Sequence, residues 1–247
     1  MHKTELITYV LLIVAFATLS IASDSELQKN GFSISLPDGW IEMPRDVIDA
    51  YEKEITRLAP NVTTQHYDYG FQLDSSKNWF EYPYILVQVK NIGRIPESQL
   101  EKLERYSVQE SLDKYKKGVS SIMSDIQAGK MVYDKETKMI WMRIESNVAN
   151  IGPISGISGM IPTEKGFIQV MGYSLREHYP TYEAIFQSVA LSVSPEPGLA
   201  YKPKWSDSLP PAVAGIDWGK VAGKAIAGAI IGGIIALIAA LRKKKNG

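Results

Sequence analysis

The sequence predicts an α+β protein in which helices flank a mainly antiparallel sheet, followed by one C-terminal transmembrane helix. Three observations lead to this fold class. Segments of strand length follow one another in the second half of the chain, which is typical of antiparallel sheets. Apolar residues at helical spacing lie between the earlier strand-like segments. Finally, one stretch at each end of the chain, residues 6–22 and residues 225–241, is apolar and carries no charged residue.

The N-terminus is typical of an exported protein. Lys3 precedes the apolar residues 6–22, and Ser20 and Ala22 supply the small residues of a cleavage site. Polar residues follow immediately. We therefore expect residues 1–23 to be a cleaved signal peptide. An uncleaved N-terminal anchor of the same length is the alternative.

Residues 24–193 are predicted to form the folded domain, whose first half alternates strands with helices. Residues 32–36 alternate apolar and polar side chains, which predicts a half-buried strand before the turn at 37–39. The expected elements of this half are strands at 32–36, 66–73 and 84–92, and helices that begin at Pro44 and Pro96 and end before Pro60 and near Lys117.

The second half of the domain is expected to contain two hairpins and a closing helix. Residues 135–138 separate two strand-like segments, and residues 163–166 separate two more, so each group predicts an antiparallel pair. The expected elements are strands at 130–134, 139–148, 154–162, 166–174 and 191–193, and a helix at 181–189. Helices must then cover at least one face of the sheet.

Two segments of the domain carry a family resemblance. GFSISLPDGW at 31–40, followed by a helix that begins with proline, resembles the opening of extracytoplasmic domains of the PsbP-like, Mog-type fold. YEAIFQSVALSV at 182–193 is similar to their last helix and strand. The resemblance implies an α/β/α sandwich and a protein-binding role, which in photosynthetic members assists a membrane complex. No catalytic motif is shared, so it implies no catalytic residue.

The chain after the domain is predicted to reach a membrane. Residues 194–218 contain five prolines and no apolar periodicity, so we expect a stiff, extended linker. Residues 219–241 are the predicted transmembrane helix, since the uncharged part of about 17 residues spans roughly 25 Å. The tail at 242–247 begins with Arg242, Lys243, Lys244 and Lys245, and such a basic cluster marks the cytoplasmic side.

The predicted span has small residues on one side of the helix. Gly228, Gly232, Ala236 and Ala240 recur at every fourth position. Small residues at this spacing allow two membrane helices to approach closely. We expect the helix to associate with itself or with another membrane protein. A general bias of membrane spans toward small residues is the alternative.

The net charge of zero is a sum over two compartments. Once Lys3, Glu5 and the six basic residues of 218–247 are set aside, the exported part keeps 20 basic and 26 acidic residues. An acidic domain outside the cytoplasm is not expected to bind nucleic acid. The chain contains no cysteine, which excludes disulfides and cysteine-ligated metal sites. No cofactor or metal site is predicted.

Two hypotheses remain for function. The first is a protein-binding or assembly module tethered to a cell membrane, with another membrane or extracytoplasmic protein as its partner. The loop that contains Trp79, Phe80 and Tyr82 is its candidate binding surface, although the loop could instead fold onto the core. The second is a hydrolase or other enzyme with dispersed catalytic residues around His66 or His178. It requires a deep pocket where one of these histidines contacts a carboxylate and a nucleophile.

Overall fold

The computed structural model describes residues 25–58 and 65–208, together with residues 217–221, 223–224, 226–228, 230–231 and 233. The strands are β1 (Ser25–Lys29), β2 (Phe32–Leu36), β3 (Trp40–Glu42), β4 (Tyr69–Leu73), β5 (Tyr84–Lys90), β6 (Met123–Ala128), β7 (Val132–Asp134), β8 (Met139–Val148), β9 (Gly152–Thr163), β10 (Gly166–Leu175) and β11 (Ser194–Pro195). The helices are α1 (Arg45–Leu58), α2 (Glu97–Leu100), α3 (Val108–Val119) and α4 (Tyr179–Leu191). Short 3-10 helices lie at Glu101–Arg105 and Trp205–Ser208.

One large antiparallel sheet organises the molecule. Its strand order is β3-β4-β5-β10-β9-β8-β6, and β7 pairs with β8 outside this path. A smaller sheet has the order β1-β2-β11. Every pairing in both sheets is antiparallel. The predicted α+β class, with antiparallel strands flanked by helices, is therefore confirmed.

Both faces of the large sheet are covered. Side chains alternate along each strand, so Tyr84 and Leu86 of β5 lie on one face, and Ile85 and Val87 lie on the other. Helices α1, α2 and α3 pack on the first face. Helix α4 and strand β2 of the small sheet pack on the second face. This burial on both sides explains why β9 and β10 are apolar or uncharged over nearly their whole length.

The predicted long helix at 96–117 is interrupted. Glu101–Arg105 is a 3-10 turn, Tyr106 and Ser107 have extended backbone, and α3 starts at Val108. The core residues of this region are Leu100, Leu103, Val108 and Leu112. The five-residue step from Leu103 to Val108 would rotate Val108 away from the apolar side of a continuous helix. The break restores Val108 to the core, so the prediction of one helix was wrong.

Three strands were not predicted, and each has a weak pattern. Strand β1 is a mostly exposed edge strand, and β3 has three residues. Strand β6 contains a register shift between Ser124 and Gln127, with a positive φ at Asp125, and this irregularity removes its alternation. The last strand is β11 rather than residues 191–193, because α4 continues to Leu191.

The chain after α4 packs on the domain. Residues 194–208, which the sequence assigns to an extended linker, form what we call the C-terminal strap. Strand β11 pairs with β2, and the Glu164 amide donates a hydrogen bond to the Leu199 carbonyl. Arg94 holds the far end of the strap, because its guanidinium makes bonds of 2.7 and 2.6 Å to the two carboxylate oxygens of Asp207.

The strap is fixed by a cluster of charges. Arg94 also donates to Glu164 at 3.0 Å, and Lys204 pairs with Glu164 at 2.6 Å. These cations lower the pKa of the Glu164 and Asp207 carboxyls to about 2. The strap is therefore held near residue 207 by an ion pair in which both carboxylate oxygens of Asp207 are bound by Arg94.

We predict that Gly172→Ala destabilises the protein, whereas Gly198→Ala leaves the stability unchanged. A Cβ at Gly172 would overlap the ring of Phe186 from α4, and a Cβ at Gly198 would meet no atom within 4 Å. Overpacking of this kind costs about 1–3 kcal/mol. Urea unfolding of the two variants measures the difference, and equal midpoints would show that α4 does not pack closely on β10.

We predict a pH-dependent stability that comes from the strap cluster. The folded-state pKa of Glu164 and Asp207 lies below the ordinary value near 4, so their contribution is complete above about pH 5 and is lost as the pH falls toward 2. Asp207→Asn should lower the unfolding free energy by about 1.5–3 kcal/mol at pH 7, and the loss should shrink below about pH 3. The control is Asp113→Asn, at an exposed ion pair with Lys116, which should cost about 0.5 kcal/mol or less. If the loss of unfolding free energy caused by Asp207→Asn did not change with pH, the stabilisation would not come from the charge of Asp207.

Candidate binding cleft

The first face of the sheet carries a cluster of five tyrosines, of which Tyr82 is half-buried and the others are buried. Tyr84 and Tyr173 are opposite each other on β5 and β10. Tyr51 comes from α1, while Tyr67 and Tyr82 come from the segments before β4 and β5. We call the site formed by Tyr51, Tyr67, Tyr82, Tyr84 and Tyr173 the tyrosine cleft.

The rings of the cleft form a connected array. Tyr84 and Tyr173 have ring centroids 5.6 Å apart, and Tyr82 stacks on Tyr84 at 5.0 Å. Phe80 joins the helix side to the sheet side, with centroids 4.2 Å from Tyr51 and 5.8 Å from Tyr84. Burial raises the pKa of all five tyrosine hydroxyls, so these hydroxyls are neutral donors and acceptors at physiological pH.

The cleft is occupied by a helical part of the chain itself. Residues 218–221, 223–224, 226–228, 230–231 and 233 are helical, and we call them the C-terminal helix. Ile226, Ala227, Ile230 and Ile231 are each exposed by 2% or less and belong to the same core cluster as the tyrosines. Every described residue from 226 to 233 is buried. The cleft thus encloses an apolar helix.

Glycines allow this helix to lie close to the cleft. The Tyr84 hydroxyl donates a hydrogen bond to the carbonyl oxygen of Gly233. A Cβ at Gly233 would overlap the Tyr173 hydroxyl, and a Cβ at Gly228 would overlap the side-chain amide of Gln65. At the start of the helix, a Cβ at Gly219 would lie 2.8 Å from the ring of Tyr106. Larger residues at these positions would push the helix outward.

The floor of the cleft also contains buried polar groups. Gln88 and Gln169 are opposite each other on β5 and β10, and both are 0% exposed. Gln88 lies on β5 between Tyr84 and Lys90, on their face of the sheet. The Gln169 amide nitrogen donates to the Ser158 hydroxyl at 3.0 Å.

Several of these polar atoms are unsatisfied. Both amide atoms of Gln88, Oε1 of Gln169 and the hydroxyl of Tyr173 have no hydrogen-bond partner among the described residues. A buried polar group without a partner costs about 1–3 kcal/mol. The isoleucine and alanine side chains of the C-terminal helix offer no donor or acceptor. The floor is therefore more polar than its present occupant.

One end of the cleft carries a positive charge. The Lys90 ammonium donates to Oε1 of Gln65 at 3.2 Å. Burial lowers the pKa of Lys90, and the nearby carboxylates of Asp68 and Glu52 oppose this shift. The cleft therefore runs from a charged end at Lys90 to an aromatic end at Tyr84.

The predicted aromatic binding loop is folded onto the core. Phe80 is 3% exposed and lies inside the tyrosine array, while Trp79 and Tyr82 are half-buried against the same cluster. Gln72 holds the loop, because its Oε1 accepts a hydrogen bond of 2.8 Å from the Phe80 amide. Of the two alternatives for this loop, the one in which it folds onto the core holds at Phe80. The loop contributes to the wall of the cleft instead.

The predicted membrane segment is described only in part. Gly228 faces Gln65 of the domain, whereas Gly232, Ala236 and Ala240 and the basic residues Arg242, Lys243, Lys244 and Lys245 lie outside the described residues. Within the described ranges, no helix combines the length and apolar character needed to cross a bilayer. The signal peptide at 1–23 also lies outside these ranges.

The two candidate histidines are on the open surface. His66 has a side chain that is 63% exposed, and it contacts Glu52 at 3.2 Å and Asp68 at 3.9 Å. His178 is 59% exposed and lies 3.4 Å from Glu177. Among the described residues, neither histidine lies in a deep pocket beside a nucleophile, so the enzyme hypothesis built on a pocket around these histidines is wrong. Within the described residues, no group of three or more acidic, histidine or cysteine side chains could hold a metal ion.

A second concave surface lies on the opposite face of the sheet. This depression of about 540 Å³ is bounded by β7, β8 and α4, and Trp141 and Ile157 contribute to its floor. Two apolar side chains at its rim, Val132 and Leu191, are exposed by 55% and 51%. It is open and holds no described part of the chain, whereas the tyrosine cleft encloses a helix.

The comparisons with known proteins give distant similarities. The sequence matches no family model, and no curated protein matches it. The chain is similar to cyanobacterial PsbP (CyanoP) from Synechocystis sp. PCC 6803, with 10% identity and a TM-score of 0.45 over 74% of this chain and 99% of that one. It is also similar to LpqN, involved in cell envelope biogenesis of Mycobacterium tuberculosis, with 12% identity and a TM-score of 0.35 over 71% of this chain and 86% of that one. The first is a PsbP protein, the family that the opening and closing segments of the sequence resemble. Similarities this distant carry no argument about function.

One feature of the sequence points to the cleft. Gln88 and Gln169 stand at positions of otherwise apolar strands that point to the same face as the core tyrosines. Polar residues at such inward positions are rare unless they are paired or functional. The pairing of β5 with β10, which brings these residues together, is set by the tertiary fold.

We predict that Tyr84→Phe destabilises the protein and that Tyr173→Phe does not. The Tyr84 hydroxyl bonds to the Gly233 carbonyl and to Tyr82, whereas the Tyr173 hydroxyl has no partner among the described residues. The first change should cost about 0.5–1.5 kcal/mol, and the second should be neutral or stabilising. Denaturant unfolding measures both. If Tyr173→Phe lowered the unfolding free energy more than Tyr84→Phe does, the Tyr173 hydroxyl would have a hydrogen-bond partner.

Proposed function

We propose that this chain is a non-catalytic accessory module, tethered to a membrane, that binds an apolar helical segment of another protein in its tyrosine cleft. The observation that carries this proposal is the enclosure of Ile226, Ala227, Ile230 and Ile231 in that cleft. A site that buries one apolar helix has the width and the surface chemistry to bury another. Binding of an amphipathic or apolar helix in a groove is a common mode of protein recognition.

The sequence pattern supports the tether and the location of the domain. An N-terminal segment typical of a signal peptide, an uncharged stretch at 225–241 and a basic cluster after it predict one C-terminal anchor. The domain would then lie on the extracytoplasmic side of a cell membrane, with the basic tail in the cytoplasm. The partner would be another membrane or extracytoplasmic protein, including a second copy of this chain.

The character of the cleft supports a protein segment as its ligand. Five neutral tyrosines provide broad aromatic surface with hydrogen-bonding hydroxyls, a composition that is enriched at protein interfaces. Lys90 lies at one end of the cleft. A partner helix with small residues toward the cleft would fit, since the present occupant approaches the cleft closely at Gly228 and Gly233.

Photo-cross-linking in the native membrane tests this function. A photoreactive phenylalanine analogue replaces Tyr82, which stacks on Tyr84 at the cleft. The matched control has the analogue in place of Tyr182, which stacks on Phe186 on the opposite face of the sheet. We expect position 82 to form covalent adducts with an apolar helical segment of a second chain, and position 182 to form none with that segment.

The adducts are identified by mass spectrometry of the cross-linked peptides. Adducts between position 82 and the chain's own residues are scored separately from adducts with a second chain. The proposed function is contradicted if the membrane-bound protein forms no intermolecular adduct from position 82, or forms the same adducts from both positions.

A further inference from the structure

The C-terminal helix meets the requirements of two different environments. Residues 226, 227, 230 and 231 are buried in the tyrosine cleft, and the same residues belong to the uncharged stretch at 225–241. That stretch of about 17 residues is at the short end of the length that spans a bilayer. One segment cannot occupy the cleft and the membrane at the same time.

The two positions of this segment offer similar apolar environments. Lipid tails are as apolar as a leucine-rich core, so the isoleucine side chains are shielded from water in either place. The transfer of the helix from cleft to bilayer therefore retains its hydrophobic stabilisation. The free-energy difference between the two states therefore depends on the other contacts that the helix makes in the cleft.

Those remaining contacts are not well matched to the helix. The floor leaves Gln88, Gln169 and Tyr173 with unsatisfied polar atoms beneath an occupant that carries no side-chain donor or acceptor in its described buried part. When the helix leaves, water or a polar side chain of another occupant can reach these atoms. The helix is thus held by its apolar surface and by the bond from Tyr84 to Gly233, while the floor favours its replacement.

We infer that the C-terminal helix is a displaceable plug, and that its insertion into a membrane opens the tyrosine cleft. In the closed state the helix fills the cleft. In the open state it anchors the chain, and the cleft becomes available to the helical segment of a partner that places a hydrogen-bonding side chain over Gln88 and Gln169. This inference rests on the proposed function, because the partner is the one that the cleft is proposed to bind. The protein then binds this partner only where the C-terminal helix has inserted into a membrane.

A pair of cysteines can report which state is present. The chain has no cysteine of its own, so an introduced pair forms the only disulfide. In Gln65→Cys/Gly228→Cys, a Cβ at position 228 would lie 3.3 Å from Cγ of Gln65, within reach of a disulfide, and Gln65→Cys removes the side-chain amide that this Cβ would otherwise overlap. The control is Glu26→Cys/Ser35→Cys, since these residues are opposite each other on β1 and β2 and do not involve the helix.

The experiment compares disulfide formation by the full chain in solution and on membranes. The membranes are vesicles of phosphatidylethanolamine and anionic phosphatidylglycerol, and bound protein is collected by flotation before mild oxidation. In solution the 65/228 pair should oxidise readily. On vesicles its oxidation rate should fall by about tenfold or more as the helix leaves the cleft, while the 26/35 pair should oxidise equally in both conditions.

A locked form completes the test. Protein that is oxidised in solution at 65/228 keeps its helix in the cleft, and it should lose vesicle binding that returns when a reductant is added. Equal oxidation of the 65/228 pair in solution and on vesicles that bind the protein would overturn the plug while leaving a tether in place. A failure of the 65/228 pair to oxidise in solution would also overturn it. Absence of vesicle binding by the reduced chain would overturn both the plug and the tether. The cross-linking from position 82 separately tests whether the cleft binds a partner.

Discussion

The constraint on which the structure depends is that the large antiparallel sheet is apolar on both faces. Strands β9 and β10 are buried over nearly their whole length, so neither face can be left to water. Helix α4 and β2 cover one face. On the other face, α1, α2 and α3 share the cover with the C-terminal helix, which packs against Tyr84 and Tyr173. The helix therefore lies where it covers apolar sheet surface that would otherwise be exposed to water.

The tyrosine cleft combines two properties that oppose each other. Its aromatic rings favour an apolar helix, whereas Gln88, Gln169 and Tyr173 present polar atoms without partners among the described residues. A cleft that was only structural would be expected to satisfy these atoms or to replace them with apolar side chains. The retained mismatch is the physical basis for proposing an exchangeable occupant. The bonds of Arg94 to Asp207 also fix the end of the strap on the domain.

Much of the fold was predictable because its elements carry regular patterns. Strand β2 was predicted with its observed bounds, and α1 and the hairpins of β7 to β10 were predicted within a few residues. The failures occurred where the pattern is irregular. The step from Leu103 to Val108 broke a helix, and the bulge in β6 removed its alternation. In the candidate site, the aromatic loop is folded onto the core at Phe80, because Gln72 and Tyr51 hold this residue there, and a binding role for the loop stays a prediction.

The sequence by itself determined which segments are apolar, which are amphipathic and how charge is divided along the chain, since these properties belong to the residues and their spacing. It determined the fold class for the same reason. Only the tertiary structure decided what the apolar segments contact. An apolar segment such as residues 225–241 can be buried equally well in a bilayer or in a protein cleft, because hydrophobic burial is not directional. The pairing of β5 with β10 creates the cleft that receives the helix, and the residues that form this cleft are far apart along the chain.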